Sequence, residues 1–170
     1  MNESNEMNLP EITPVNAPLI DLETRLTDKD HLSLRLWLRM VSSTVKIETE
    51  IRCRLRSEFE ITLPRFDLMA QLERYPQGLP MGELSKRMMV TSGNITGIAD
   101  QLVKENIVER VVDKQDRRSF KLKLTPRGLD SFKKMALKHE QWVDELLQGL
   151  ATQEKQALIE LLSKVKASVK

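Results

Sequence analysis

Residues 81–124 read MGELSKRMMVTSGNITGIADQLVKENIVERVVDKQDRRSFKLKL, and the hydropathy pattern changes period within them. Met81 to Met89 suits a short helix with Leu84 and Met88 turned inward. Thr91-Ser92-Gly93 follows as a turn and cap. Ile95, Ile98, Ala99, Leu102 and Val103 then fall at i, i+3, i+4, i+7 and i+8, the spacing of an amphipathic helix. Beyond Val108 the period drops to two. Val108, Arg110 and Val112 alternate with Glu109 and Val111, and Phe120, Leu122 and Leu124 alternate with Lys121 and Lys123, which predicts two short strands. The polar run from Asp113 to Ser119 is the hairpin tip between them.

Helix, turn, helix and hairpin in this order predict a winged helix-turn-helix, a motif that lays its second helix in the major groove. Such a helix needs an apolar face to seat it and a small or hydrogen-bonding face to approach base edges. Ile95, Ile98, Ala99 and Leu102 supply the first; Ser92, Gly93, Asn94, Thr96 and Gly97 supply the second. Asn94 and Thr96 are the candidate base readers, with Ser92 at the helix start, while Gln101 and Lys104 suit phosphate contacts. The hairpin carries Lys114, Arg117, Arg118, Lys121 and Lys123. Arginine at a narrow tip suits the minor groove, where the potential is most negative. Asp116 is placed to brace Arg117 or Arg118 through a charge-assisted hydrogen bond. The stretch holds nine bases and six acids.

The flanks are helical. Leu34, Leu38, Val41, Val45, Ile51, Leu55 and Phe59 predict one helix from about Asp30 to Phe59. Its length, about 40 Å at 1.5 Å per residue, exceeds what a small domain needs for its own core. Thr62-Leu63-Pro64 stops the chain and starts a short helix through Phe66, Leu68, Met69 and Leu72, ending near Tyr75-Pro76, with Gln77-Gly78 as a turn. Thr125-Pro126 caps a further helix, ended by Gly149, with Leu129, Phe132, Ala136, His139, Val143, Leu146 and Leu150 inward. Thr152 caps a last one, with Leu158, Leu161, Leu162, Val165 and Val169 on one face. The predicted fold is therefore mostly α with a small β wing: residues 1–30 a flexible acidic arm, 31–61 and 125–170 helical dimerisation segments, and 62–124 the winged domain.

The chain has 170 residues, enough to bury a core without disulfide staples, and one cysteine, Cys53, so no intrachain disulfide can form. Its N-terminus lacks a secretory pattern and no run approaches a membrane span, so a soluble cytoplasmic protein is expected. Residues 1–30 carry seven acids and two bases; residues 31–170 carry 25 bases and 18 acids. A body that is basic once its arm is set aside suits a polyanionic partner. No phosphate-cradling glycine loop, nucleophile motif or metal-ligand spacing is present, so neither an enzyme nor a cofactor is expected.

The run from Asp113 through Asp116-Arg117-Arg118 to Leu122-Lys-Leu124-Thr125-Pro-Arg-Gly128 resembles the wing and following helix start of the MarR family. Glu83-Leu84 and Leu102 to Arg110 fit the same pattern, and the resemblance covers about residues 31–168. It implies a triangular homodimer whose terminal helices interlock and whose two winged domains straddle a palindromic operator in double-stranded DNA. Many members carry a large polar or basic reader where this chain has Gly97. Leu34 to Met40, Thr62 to Arg74 and Met88 to Asn94 also resemble the branch that regulates aromatic-acid (hydroxycinnamate) catabolism. That resemblance implies a repressor released by an aromatic carboxylate or its coenzyme A thioester, bound between the dimer helices and the winged domain.

Arg35 and Arg39 share a helix face and are candidates to hold the effector's anionic group, with Trp37 nearby. A solvated basic stripe or an intersubunit ion pair would use the same two arginines. Arg52, Arg54, Arg56 and Arg65 could meet coenzyme A phosphates, but Glu48, Glu50, Glu58 and Glu60 are nearer partners. His139 reads as a structural histidine and Trp142 as core or dimer interface. Two alternatives stand beside the ligand-responsive regulator: a redox switch through Cys53, set between two arginines, and a winged-helix module for protein–protein contact.

Overall fold

The computed structural model describes residues 32–112 and 120–169. Among the described residues, six helices and three strands follow in the order α1 (Leu32–Phe59), α2 (Leu63–Glu73), β1 (Leu79–Pro80), α3 (Met81–Met88), α4 (Ser92–Lys104), β2 (Val108–Val112), β3 (Phe120–Leu124), α5 (Pro126–Leu146) and α6 (Thr152–Ser168). The chain forms two compact units, one through Lys46 and one from Ile47 onward. In the first, α1 is helical from Leu32 and leaves Leu34, Leu36, Trp37 and Val45 exposed.

The second unit holds the core. Leu55, Leu68, Met69, Leu72, Leu84, Ile95, Leu102 and Leu122 are its most deeply buried large side chains, so α1, α2, α3, α4 and the sheet share one apolar interior. Of the apolar set expected on α4, Ile95, Ala99 and Leu102 are buried, while Ile98 and Val103 are half-buried and pack against the core. Leu84 of α3 is fully buried, while Met88 only packs against the core's edge.

The sheet is antiparallel in the order β1-β3-β2. The expected hairpin is present, with Val108 opposite Leu124, Arg110 opposite Leu122 and Val112 opposite Phe120. The third strand was not expected. Leu79 and Pro80 pair with Leu122 and Lys121, and two residues are too few to show alternation. Gly78 makes this pairing possible: its φ is +84°, and a Cβ there would lie 2.8 Å from the Leu122 carbonyl oxygen.

Two helix ends differ from expectation. Helix α5 stops at Leu146, ahead of Gly149, and Thr152 is the first residue of α6 rather than its cap. Ala151 takes the cap position, and its amide donates to the Glu154 carboxylate at 2.7 Å. The α5 start is as expected. Thr125 Oγ1 accepts from the Gly128 amide at 3.0 Å and donates toward the Asn106 carbonyl at 2.9 Å. Gly128 packs so closely that a Cβ would lie 2.0 Å from the Ile107 carbonyl oxygen. The first turn of α5 is thereby fastened to the segment joining α4 to β2. No helix among the described residues is long and apolar enough to cross a membrane.

Candidate nucleic-acid interface

Helix α4 is set by its two ends. Thr91 has extended backbone and its hydroxyl accepts from the Asn94 amide at 3.5 Å, capping the N-terminus. The preceding turn is tied down by Ser85, whose hydroxyl donates to the Val90 carbonyl at 2.7 Å. Met89 ends α3 in the left-handed conformation, φ 54°, and stands almost fully exposed. At the far end Lys104 occupies the last turn, where a cation complements the helix dipole.

With Ile95, Ala99 and Leu102 buried, the opposite face is the stripe Gly93, Gly97, Asp100 and Lys104, spaced i, i+4, i+7 and i+11. Asn94 and Gln101 flank it on one side and Thr96 on the other, all exposed. The helix thus sets Asn94 and Thr96 on two different flanks, with Lys104 between them in the stripe itself. Ser92 opens the helix. A Cβ on Gly93 or Gly97 would meet nothing within 4 Å. Gly97, in the helix interior, costs roughly 0.5–1 kcal/mol, and nothing in this chain's own packing demands either glycine. Their smallness leaves this face of α4 open to close approach.

The strands continue this surface. Val108 and Leu124 are buried, whereas Val112 and Phe120 on the same sheet face are exposed, so the hairpin leaves the core about midway along β2. Arg110 stands at that point. Its guanidinium pairs with the Asp100 carboxylate and lies 4.9 Å from the centre of the Phe120 ring. Nothing in the spacing of Asp100 and Arg110 links them, because the chain turns between α4 and β2. Asp116, Arg117 and Arg118 at the tip lie outside the described residues.

Away from this surface, Arg52, Arg54 and Arg65 are matched to carboxylates. Arg52 donates to Glu48, and Arg54 donates to Glu50 at 2.8 Å and to Glu145 at 2.5 Å. Arg65 pairs with Glu105 just past the end of α4, while its Nε is buried with no hydrogen-bond partner. Arg65 and Glu105 line a cavity of about 330 Å³ with Phe59, Ile61, Met69 and Met135. Its walls come from distant parts of the chain, so no local period in the sequence marks it. Arg35, Trp37 and Arg39 lie on the exposed first part of α1. Arg35 and Arg39 are one helical turn apart, and Trp37 projects from nearly the opposite side, so the helix does not gather the three into one cluster. His139 stacks on Phe66 with ring centres 5.0 Å apart, and burial pushes its pKa down. Asp67 is pushed up, mainly by burial and then by Glu48, with Arg52 opposing. Trp142 is buried against Phe59.

A capped helix seated by its apolar side, a small-residue outer face and an adjoining hairpin define a winged-helix DNA-binding protein. The family model described as the MarR family matches residues 61–120. A crystal structure of a MarR family transcriptional regulator from Silicibacter pomeroyi is 32% identical, covers 85% of this chain and 100% of that one, and superposes with a TM-score of 0.71. The apo form of wild-type MarR from E. coli is 26% identical over 76% of this chain and 96% of that one, with a TM-score of 0.68. Among curated relatives, the HTH-type transcriptional regulator PrsX of Escherichia coli is 33% identical over 86 residues. That match spans about half of each chain, 51%. The chain belongs to the MarR family and is a DNA-binding transcriptional regulator.

Proposed function

We propose that the chain is a homodimeric repressor that holds a palindromic operator and is released from it by an aromatic carboxylate or its coenzyme A thioester. The observation that carries the DNA-binding part is α4, whose outer face keeps two glycines that the chain's own packing does not require. Asn94, Thr96 and Ser92 address bases, Gln101 and Lys104 address phosphates, and Arg117 and Arg118 enter the minor groove with Asp116 orienting them. Residues 62–124 form the DNA-binding domain, and residues 31–61 and 125–170 the dimerisation region. The half-sites then lie about one helical turn apart, roughly 34 Å.

The effector part is supported by the branch resemblance and by Arg35 and Arg39, two cations one turn apart on α1. The cavity beside Arg65, lined by charged as well as apolar side chains, lies within the second unit. An effector that prefers a dimer with wrongly spaced wings must release DNA by linkage, and a coupling of about 1–3 kcal/mol suffices.

The test is operator binding by wild type and Arg118→Ala, with and without a hydroxycinnamate and its coenzyme A thioester. The variant is expected to lose about 1–3 kcal/mol of binding and to show a shallower salt dependence. The effector is expected to release the wild type. Wing arginines that can be removed at no cost across the salt range would contradict the DNA reading; indifference to both compounds would contradict the effector.

A further inference from the structure

We propose that Arg110 is a positioning residue for DNA recognition: it sets the wing against the recognition helix by holding Asp100 of α4 while lying over Phe120 of β3. The inference rests on the reading of α4 and the hairpin as the DNA-facing elements. Asp100 sits in the outward stripe with Gly93, Gly97 and Lys104. An unpaired carboxylate there would repel phosphates, and Arg110 neutralises it. Arg110 also stands where the hairpin leaves the core, between the buried Val108–Leu124 pair and the exposed Val112–Phe120 pair. Its guanidinium is 4.9 Å from the Phe120 ring centre, and Phe120 is the first described residue after the tip. One cation therefore connects the helix that enters the major groove with both strands that carry the tip.

Folding stability gains little from this arrangement. Asp100 and Arg110 side chains are 56% and 42% exposed, and surface ion pairs and exposed cation–π contacts each contribute little. What the contacts determine is the relative placement of two elements that must engage DNA together. A group that only positions and a group that touches phosphate differ in a measurable way. Removing a phosphate contact lowers the salt slope by about one, whereas removing a positioning contact leaves the slope unchanged.

The experiment uses the full chain and a duplex enriched by the wild type from a random-sequence pool. Affinity, salt slope and melting temperature are measured for Arg110→Gln, Asp100→Asn, the double variant and Arg110→Lys. Each single loss is expected to weaken binding about tenfold, with the double variant no worse than either single, because the two residues act as a unit. The salt slope and melting temperature stay at wild-type values, and Arg110→Lys recovers part of the affinity. The decisive variant is Asp100→Asn. Removing an acid from a DNA-facing stripe should tighten binding if charge were all that mattered, and the positioning role requires it to weaken. Tighter binding by Asp100→Asn, a shallower slope for Arg110→Gln, unchanged affinity in both, or affinity that falls only in step with melting temperature would overturn the proposal. Failure of the wild type to enrich any duplex would overturn the reading of the winged domain itself, and the proposal with it.

Discussion

Helices α5 and α6 carry similar apolar stripes, yet among the described residues only α5 is covered. Helix α5 buries Phe132, Met135 and Trp142. It is fastened at its start by Thr125 and Gly128, and near its end Glu145 accepts from Arg54. Helix α6 presents Leu158, Leu161, Leu162 and Val165 at i, i+3, i+4 and i+7 and buries none of them, while Val169, expected on the same face, lies past the helix end in extended conformation. Ile159 beside them is 64% exposed. A continuous apolar stripe left in water signals an interaction surface. Amphipathic period alone, then, tells which side of a helix is apolar and not whether the covering surface belongs to the same molecule. In this reading α5 anchors the C-terminal part of the dimerisation region to its own subunit, and α6 carries the contact with the second subunit.

The largest expected effect tests the α5 half. Trp142→Ala should cost about 3–5 kcal/mol of stability through the cavity it leaves. Its melting shift should be the same at any protein concentration. Leu161→Ala should instead lower melting by an amount that varies with concentration, because it acts through association. Thermal melts over a hundredfold concentration range distinguish the two, and identical behaviour would erase the contrast.

A smaller effect is expected where α5 begins. Gly128→Ala drives a methyl group into the Ile107 carbonyl, and the overpacking should cost about 1–3 kcal/mol. Its readout is chemical denaturation. A neutral result would mean that the first turn of α5 shifts freely against the α4–β2 connection.

The smallest effect is a pH dependence on the buried side of α5. Burial holds the His139 imidazole below its ordinary 6.5, so the unfolded chain takes up that proton first as pH falls. Stability from this group is therefore complete above about pH 6.5 and declines as the solution is acidified below it. Asp67, pushed above 3.8, acts with the opposite sign in a more acidic window, because there the folded form protonates first. His139→Gln should flatten the slope below pH 6.5 and leave the stability near pH 8 free of any pH trend. A slope that survives the substitution would assign the effect to another group.

Much of this architecture is readable from the chain alone, for identifiable reasons. The inward residues of α4 follow from a 3.6 period, and the common face of Val108, Arg110, Val112, Phe120, Leu122 and Leu124 follows from a period of two. Thr125 and Pro126 announce α5 by cap chemistry. What escaped has no period. Strand β1 is two residues long, the α6 start depends on Glu154 reaching back to Ala151, and the α5 end precedes its nearest glycine. The Asp100–Arg110 and Arg65–Glu105 pairs join residues that only tertiary folding brings together. The cavity beside Arg65 has the same origin, since its walls come from residues 59 to 135.

We propose that a second copy of the chain covers α6, giving two winged domains to one operator. The decisive measurement is light scattering at micromolar concentration, on the wild type and on Leu158→Asp/Leu162→Asp. The wild type should show twice the 19.6 kDa of one chain. The double variant should show the single-chain mass while keeping the helical circular dichroism of a folded winged body. A wild type of single-chain mass, or a double variant that remains dimeric, would contradict the claim.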